Sequence, residues 1–278
     1  MILPVRSTSL RVLFLWIAMT APALRAEDAR QEPGTAAPAT AQDQTQASGA
    51  PAAGTVKYSR FHRVLARNLT SNLFTRKNLT PFLIGSAAAL AIAPADQEIS
   101  QALRGDAPTA GDAGSIIGGA VAVSFVGGSV AASFLSKSDH LHEFSYTLAQ
   151  AYATNLILTQ GLKYATNRMR PDGSASTSFP SGHASTSFTI ATVMWHYYGK
   201  KWGIPLYVLA GLVGLSRVEQ GRHWPSDAVA GATLGYICAR TAIRGTKREL
   251  AGKKTLSGLM VVPVYGHDRR GVSVQLNF

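Results

Sequence analysis

The sequence predicts an all-α fold: an antiparallel bundle of about six core helices, with a preceding amphipathic helix and a short C-terminal β-hairpin. Three observations carry that expectation. Six apolar segments, at about 80–94, 114–135, 143–164, 184–199, 203–217 and 227–243, are long enough for helices, and none alternates as a half-buried strand does. Pro81, Pro205 and Pro225 stand near the expected helix starts, where a missing N–H costs little. The tail changes period: Leu259, Val261, Val264 and Tyr265, then Val272, Val274, Leu276 and Phe278, read as two strands joined through Gly266–Gly271.

Taken in order, residues 1–26 read as an export signal. Arg6 and Arg11 give the positive region, Val12 to Met19 the apolar run, and Ala21-Pro22-Ala23 or Ala26 the small-residue cleavage site. The competing reading is a retained anchor. Residues 27–56 are rich in Ala, Pro and Gln without apolar periodicity, as expected of a disordered linker. The helical domain is expected over 57–245. Its first stretch mixes Lys57, Arg60, Arg63, Arg67, Arg76 and Lys77 with Phe61, Val64, Leu65, Leu69 and Phe74, a helix either on an anionic membrane surface or against the core. The second apolar segment holds Gly114, Gly118, Gly119, Gly127 and Gly128, which let helix backbones approach closely. The third carries Gln150, Thr154, Asn155, Thr159 and Gln160, unusual content for a membrane span. Residues 246–278 form a basic segment with the hairpin.

The charge layout favours spanning: Lys200-Lys201 and Arg240, Arg244, Lys247, Arg248, Lys253 and Lys254 would fall on one side. Six spans would also put 57–78 on that inner side, whereas a cleaved export signal would leave them outside. Both hold only with a re-entrant or interfacial segment. The net charge is +12 in 278 residues, which suits nucleic acid, an acidic membrane or a phosphorylated substrate without choosing among them. The single cysteine, Cys238, excludes an internal disulfide and reads as a small buried apolar residue.

Chemistry concentrates in three stretches: Lys163-Tyr164-Ala165-Thr166-Asn167-Arg168-Met169-Arg170-Pro171, Pro180-Ser181-Gly182-His183, and Ser216-Arg217 through His223-Trp224-Pro225-Ser226-Asp227. The first follows one helix, the second opens the next, and the third links the last two. In an antiparallel bundle they meet at one mouth. Helix N-termini there offer free N–H groups to an anion, Lys163, Arg170 and Arg217 add positive charge, and Gly182 permits close backbone approach. Two histidines beside a tetrahedral oxyanion are what phosphoryl transfer without a metal needs, one to attack phosphorus and one to protonate the leaving oxygen. Asp227, one turn after His223, can take its Nδ1–H. Singly these residues have duller uses: Ser181 as a helix cap, Asp227 on a helix dipole, an arginine at a helix end.

The three stretches resemble the phosphatidic acid phosphatase type 2 superfamily, with its K-x6-R-P, P-S-G-H and S-R-x5-H-x3-D signature, and match it at all eleven specified positions. Chance agreement at about 5% usage per position is on the order of 10⁻¹⁴ before gap freedom. The resemblance covers roughly 80–243. It implies a helical fold and a metal-independent phosphatase acting on a phosphate monoester or lipid (di)phosphate through a phosphohistidine. His223 matches the nucleophile, Asp227 its orienting partner and His183 the acid. Lys163, Arg170, Ser181, Gly182 and Arg217 match the phosphate shell. No cofactor, no metal and no nucleic acid are implied. The expected partner is a phosphorylated small molecule or lipid, with membrane association and an envelope location whose site faces the periplasm. Vanadate-dependent haloperoxidases resemble the same shell, and a non-catalytic anionic-lipid-binding protein is the remaining alternative. Asp139-His140-Leu141-His142-Glu143 reads as a charged helix start rather than a metal site, Trp195–Tyr198 as an interfacial belt or core edge. Arg168 and Arg222 lie outside the signature and are read as tuning substrate choice or simply solvated.

Overall fold

In a computed structural model of the protein the described residues are 60–104, 109–257, 259–265 and 270–276. The expected export signal and linker lie outside them. Helices run in the order α1 (Phe61–Leu69), α2 (Arg76–Ile92), a 3-10 turn (Ala93–Ala95), α3 (Asp96–Leu103), α4 (Thr109–Ile116), a π-helical turn (Ile117–Val121), α5 (Ala122–Leu135), α6 (Asp139–Thr166), α7 (Gly182–Tyr198), α8 (Lys200–Glu219) and α9 (Pro225–Ser257).

Local chemistry sets the ends that matter for the site. Ser138 caps α6, whose first turn carries Asp139, and Asn167, at φ 46°, closes it in the left-handed conformation. Ser181 caps α7 through Ala184 N–H, and Gly199 ends it. Pro225 opens α9, with no N–H to waste. Pro81 and Pro205 sit farther in than expected, because α2 and α8 each add a turn before their proline, losing a backbone bond there.

The core forms where α6, α7 and α9 meet. Phe144, Leu148 and Ala151 pack with Ile190, Val193, Ala239 and Ala242, and Leu158 and Leu162 with Leu234 and Cys238. Each large side chain buried there stabilises by about 1.5–3 kcal/mol. A Cβ on Gly231 would lie 2.5 Å from the Ser181 carbonyl oxygen, and one on Gly235 would come closer still to that of Ser185. Glycine is needed for α9 to lie this close to α7, and that closeness brings the two helix starts together. Of the polar residues of α6, Gln150, Thr154, Asn155 and Thr159 are internal and Gln160 is exposed: Gln150 donates to the Phe61 carbonyl at 2.8 Å and Thr159 bonds Ser185 at 3.2 Å. α1 packs on the core, with Val64 buried and Phe61 edge-on to Tyr146 at 5.7 Å. Its Arg60 and Arg67 pair with Glu249 on α9.

The expected fold class needs correction at its C-terminus. From Arg60 to Ser257 the described residues are helix, turn and loop without a strand, and the fold is all-helical; a β-hairpin is not supported as part of it. The extended segments Leu259–Tyr265 and Arg270–Leu276 pair only with each other. Alternation of apolar residues reports a local period, not a layer for the strands to pack on, and a lone hairpin is marginal in water.

Candidate active site

The ends of α6 and α8, the starts of α7 and α9 and the loop between α6 and α7 converge on one mouth. Lys163, in the last turn of α6, is buried and donates from Nζ to the Thr177 carbonyl at 2.5 Å, tying the loop to its helix. Arg170 reaches Ser174 and Thr177 only at 3.5 Å, and its Nε is buried without a protein partner. Arg217, buried at the end of α8, donates to Gln220. Ser181 N–H donates to the Asp227 carbonyl at 3.0 Å, fastening the start of α7 to that of α9. A Cβ on Gly182 would meet Thr159 and Lys163 no closer than 3.7 Å, so crowding by the protein does not demand glycine there.

His223 is 3% exposed. Its Nδ1 lies 2.6 Å from the Ser178 carbonyl oxygen. A carbonyl only accepts, so Nδ1 carries the proton and Nε2 is left unprotonated in the neutral ring. Burial and the charges of Lys163, Arg217 and Arg170 hold its pKa well below the usual 6.5. His183 is pushed down to about 4 by burial, Arg217 and Lys163, against a hydrogen bond to the backbone of Ser115. Lys163 falls to about 8, chiefly by burial. The three cations and both histidines thus act on one another across a single space.

The expected direct bond from His223 to Asp227 is not formed. Asp227 Oδ2 lies 4.0 Å from Nδ1 and instead accepts from Ser178 Oγ and, at 2.9 Å, from Trp224 N–H. The spacing of four residues presumes both lie on one helix, but His223 precedes the first turn of α9, and the loop residue Ser178 comes between. Asp227 therefore acts on His223 through Ser178. Fully buried, its carboxyl is held above the usual carboxylate range by desolvation, against the opposing pull of Arg168, Ser178 and Trp224.

Arg168 is neither solvated nor at the anion space. Its Nη1 donates to Asp227 Oδ1 at 2.5 Å and to Ser226 Oγ at 2.9 Å, and its Nη2 to Asp96 Oδ2 at 2.7 Å. Asp96 also accepts from Ser226 N–H at 2.8 Å. Arg222 pairs with Asp172 at 3.3 Å on the rim. Asp96, Ser178 and Ser115 went unnoticed in the sequence, and Gly118 was read only as allowing close helix approach. Asp96 had no local signal, because Gln97 and Glu98 follow it in an ordinary polar helix start. Among the described residues no group of three His, Cys, Asp or Glu could hold a metal; His140 stacks edge-on to Tyr197 and Tyr198.

The helices present two histidines, two buried cations (Lys163 and Arg217) and the half-buried Arg170 at a shared mouth, an arrangement suited to a tetrahedral oxyanion. A family model described as the PAP2 superfamily matches residues 144–250, the stretch from Lys163 to Asp227 included. Over 78 residues the chain is 41% identical to lipid A 1-phosphatase of Porphyromonas gingivalis, covering 27% of this chain and 18% of that one. Over 101 residues it is 33% identical to phosphatidylglycerophosphatase B of Bacillus subtilis, covering 31% and 50%. The chain thus spans half or less of the length of these relatives. Among solved structures, a transmembrane PAP2-type phosphatidylglycerolphosphate phosphatase from Bacillus subtilis superposes with a TM-score of 0.52 at 25% identity. The superposition covers 63% of this chain and 98% of that one.

Proposed function

We propose that this chain is a metal-independent phosphatase of lipid phosphates or diphosphates that works through a phosphohistidine on His223. The observation that carries the reading is the His223 tautomer beside Lys163, Arg170 and Arg217. Nε2, neutral and unprotonated, attacks phosphorus. The N–P bond forms as the P–O bond to the leaving group breaks, and His183 gives its proton to the departing oxygen. Water then attacks the phosphohistidine, His183 takes back a proton, and phosphate leaves with Nε2 restored. The three cations meet the charge on the equatorial oxygens, the task metal ions perform in other phosphoryl-transfer sites. His183 needs its proton at the start, and the same cations depress it. A bound phosphate dianion supplies the opposing charge that restores it, coupling the acid to substrate binding.

Lipid substrates and membrane association are supported by the relatives, which are named as lipid phosphatases, and by two apolar helical stretches, Arg76–Leu103 and Ala113–Leu135, of 28 and 23 residues. Their outward residues include Leu83, Ile84, Phe134 and Leu135, all more than half exposed, a surface apolar enough for a bilayer. Arg240, Arg244, Lys247 and Arg248 stand on α9 ~20–30 Å from the mouth at 1.5 Å per residue, which supports a cytoplasmic far end and a periplasmic site.

The test is phosphate release by purified protein in detergent without added metal, from p-nitrophenyl phosphate, phosphatidate and a polyprenyl diphosphate, with and without EDTA. Release insensitive to EDTA and blocked by vanadate is expected; inhibition by EDTA, or no release from all three, sinks the reading. A low pKa leaves His223 neutral at any pH above it, so the acid limb of kcat/KM falls well below pH 6.5.

A further inference from the structure

We infer that Asp96 and Arg168 are positioning residues of this site, holding Asp227 and, through it, the Ser178 carbonyl that orients His223. The inference rests on the phosphatase reading and adds to it two residues the signature omits, one of them outside the matched stretch 144–250.

The links are continuous and buried. Asp96 opens α3 with its side chain 6% exposed, and Arg168 is 16% exposed. One guanidinium bridges two carboxylates, Nη2 to Asp96 at 2.7 Å and Nη1 to Asp227 at 2.5 Å, while its plane lies 5.6 Å from the Trp224 ring. Asp96 also accepts from Ser226 N–H and, at 2.5 Å, from Ser226 Oγ, so it caps the start of α9 from another helix. Asp227 Oδ1 is thereby spoken for by Arg168, and Oδ2 is left for Ser178 Oγ and Trp224 N–H. Ser178 held by its hydroxyl presents its carbonyl to His223 Nδ1 at 2.6 Å. Neither Asp96 nor Arg168 touches the anion space, which belongs to Lys163, Arg170 and Arg217. Only a planar fork spans both carboxylates, so lysine is no substitute.

A residue that merely stabilises the fold changes the amount of active protein; a positioning residue changes the rate of each folded molecule. The experiment is steady-state kinetics of folded Asp96→Asn and Arg168→Gln on p-nitrophenyl phosphate, with vanadate inhibition and a pH profile. Expected is a loss of ~10–100-fold in kcat, as for small misplacement of a reacting group. KM and vanadate inhibition stay within ~2-fold, since the anion shell is untouched. The groups facing His223 are Lys163, Arg170, Arg217 and Asp227, and the two variants change the charge behind Asp227 in opposite senses. Asp96→Asn removes a negative charge and moves the acid limb of kcat/KM to lower pH; Arg168→Gln removes a positive one and moves it higher. Parental kcat and an unmoved acid limb in both variants overturn the inference, even if both melt earlier. Should Asp96→Asn not accumulate, Arg168→Lys carries the kcat-against-KM test, and parental kcat there overturns it equally. A parent inactive on every substrate would instead sink the phosphatase reading.

Discussion

Helices α6 to α9 and the helices before them both reach the active mouth, but they bring different things. α6 to α9 and their loops supply the groups that would touch phosphate: Lys163, Arg170, His183, Arg217 and His223. The earlier helices supply groups that hold those in place. Asp96 fastens Arg168 and Ser226, the Ser115 backbone takes a hydrogen bond from His183, and Gly118 makes room beside that ring. The first set is compact in sequence because reacting groups must follow helix ends. The second is scattered, because a support can come from any element that packs nearby. Chemistry and support are thus separable, and the variants below are ranked by how hard they press on that division.

His223→Ala presses hardest. Loss of a nucleophile costs about 10⁴–10⁶ in kcat in systems where residues act as a unit. Phosphate release should fall to background while vanadate still binds, because the cations remain. Residual turnover within tenfold of the parent would remove His223 from the chemistry and dissolve the comparison.

His183→Ala comes next, at about 10²–10⁴-fold for a general acid. The loss should depend on the leaving group: small with p-nitrophenolate, which departs without a proton, and large with an alkyl phosphate. Equal losses on both substrates would mark His183 as a binding group instead.

How much of this was legible follows the same division. Lys163, Arg170, Ser181, Gly182, Arg217, His183, His223 and Asp227 could be named from three stretches, since helix ends and spacing put them at one mouth. The helical nature of the apolar segments was equally readable from their period. What could not be read was contact between distant elements. Nothing around Asp96 announces that it meets Arg168 across 72 positions, or that a backbone carbonyl at Ser178 stands between Asp227 and His223. The basic stretch at 57–78 left two placements open; among the described residues Phe61 packs on Tyr146, and Arg60 and Arg67 pair with Glu249. The tail misled for the complementary reason, because a period-two pattern is visible locally whether or not it joins a fold.

The smallest effects discriminate most finely, and two glycines of one apolar stretch provide them. A Cβ on Gly118, in the π-helical turn, would lie 2.5 Å from Val213 Cγ1 and 3.1 Å from His183 Cβ. π-turns of this kind recur at functional sites. Gly118→Ala must push Val213 or His183 aside, at about 1–3 kcal/mol of overpacking. Because one displaced group is the acid, turnover of an alkyl phosphate should fall by more than p-nitrophenyl phosphate turnover, which needs no proton. A Cβ on Gly127, in α5, would meet nothing within 4 Å, so Gly127→Ala should leave both rates unchanged and stabilise the helix by about 0.5–1 kcal/mol. Thermal unfolding in detergent and the two rates, measured side by side on both variants, separate support from scaffold. If Gly118→Ala lowers the melting temperature yet spares the alkyl phosphate rate, the early helices only complete the fold, and their role in placing His183 is lost.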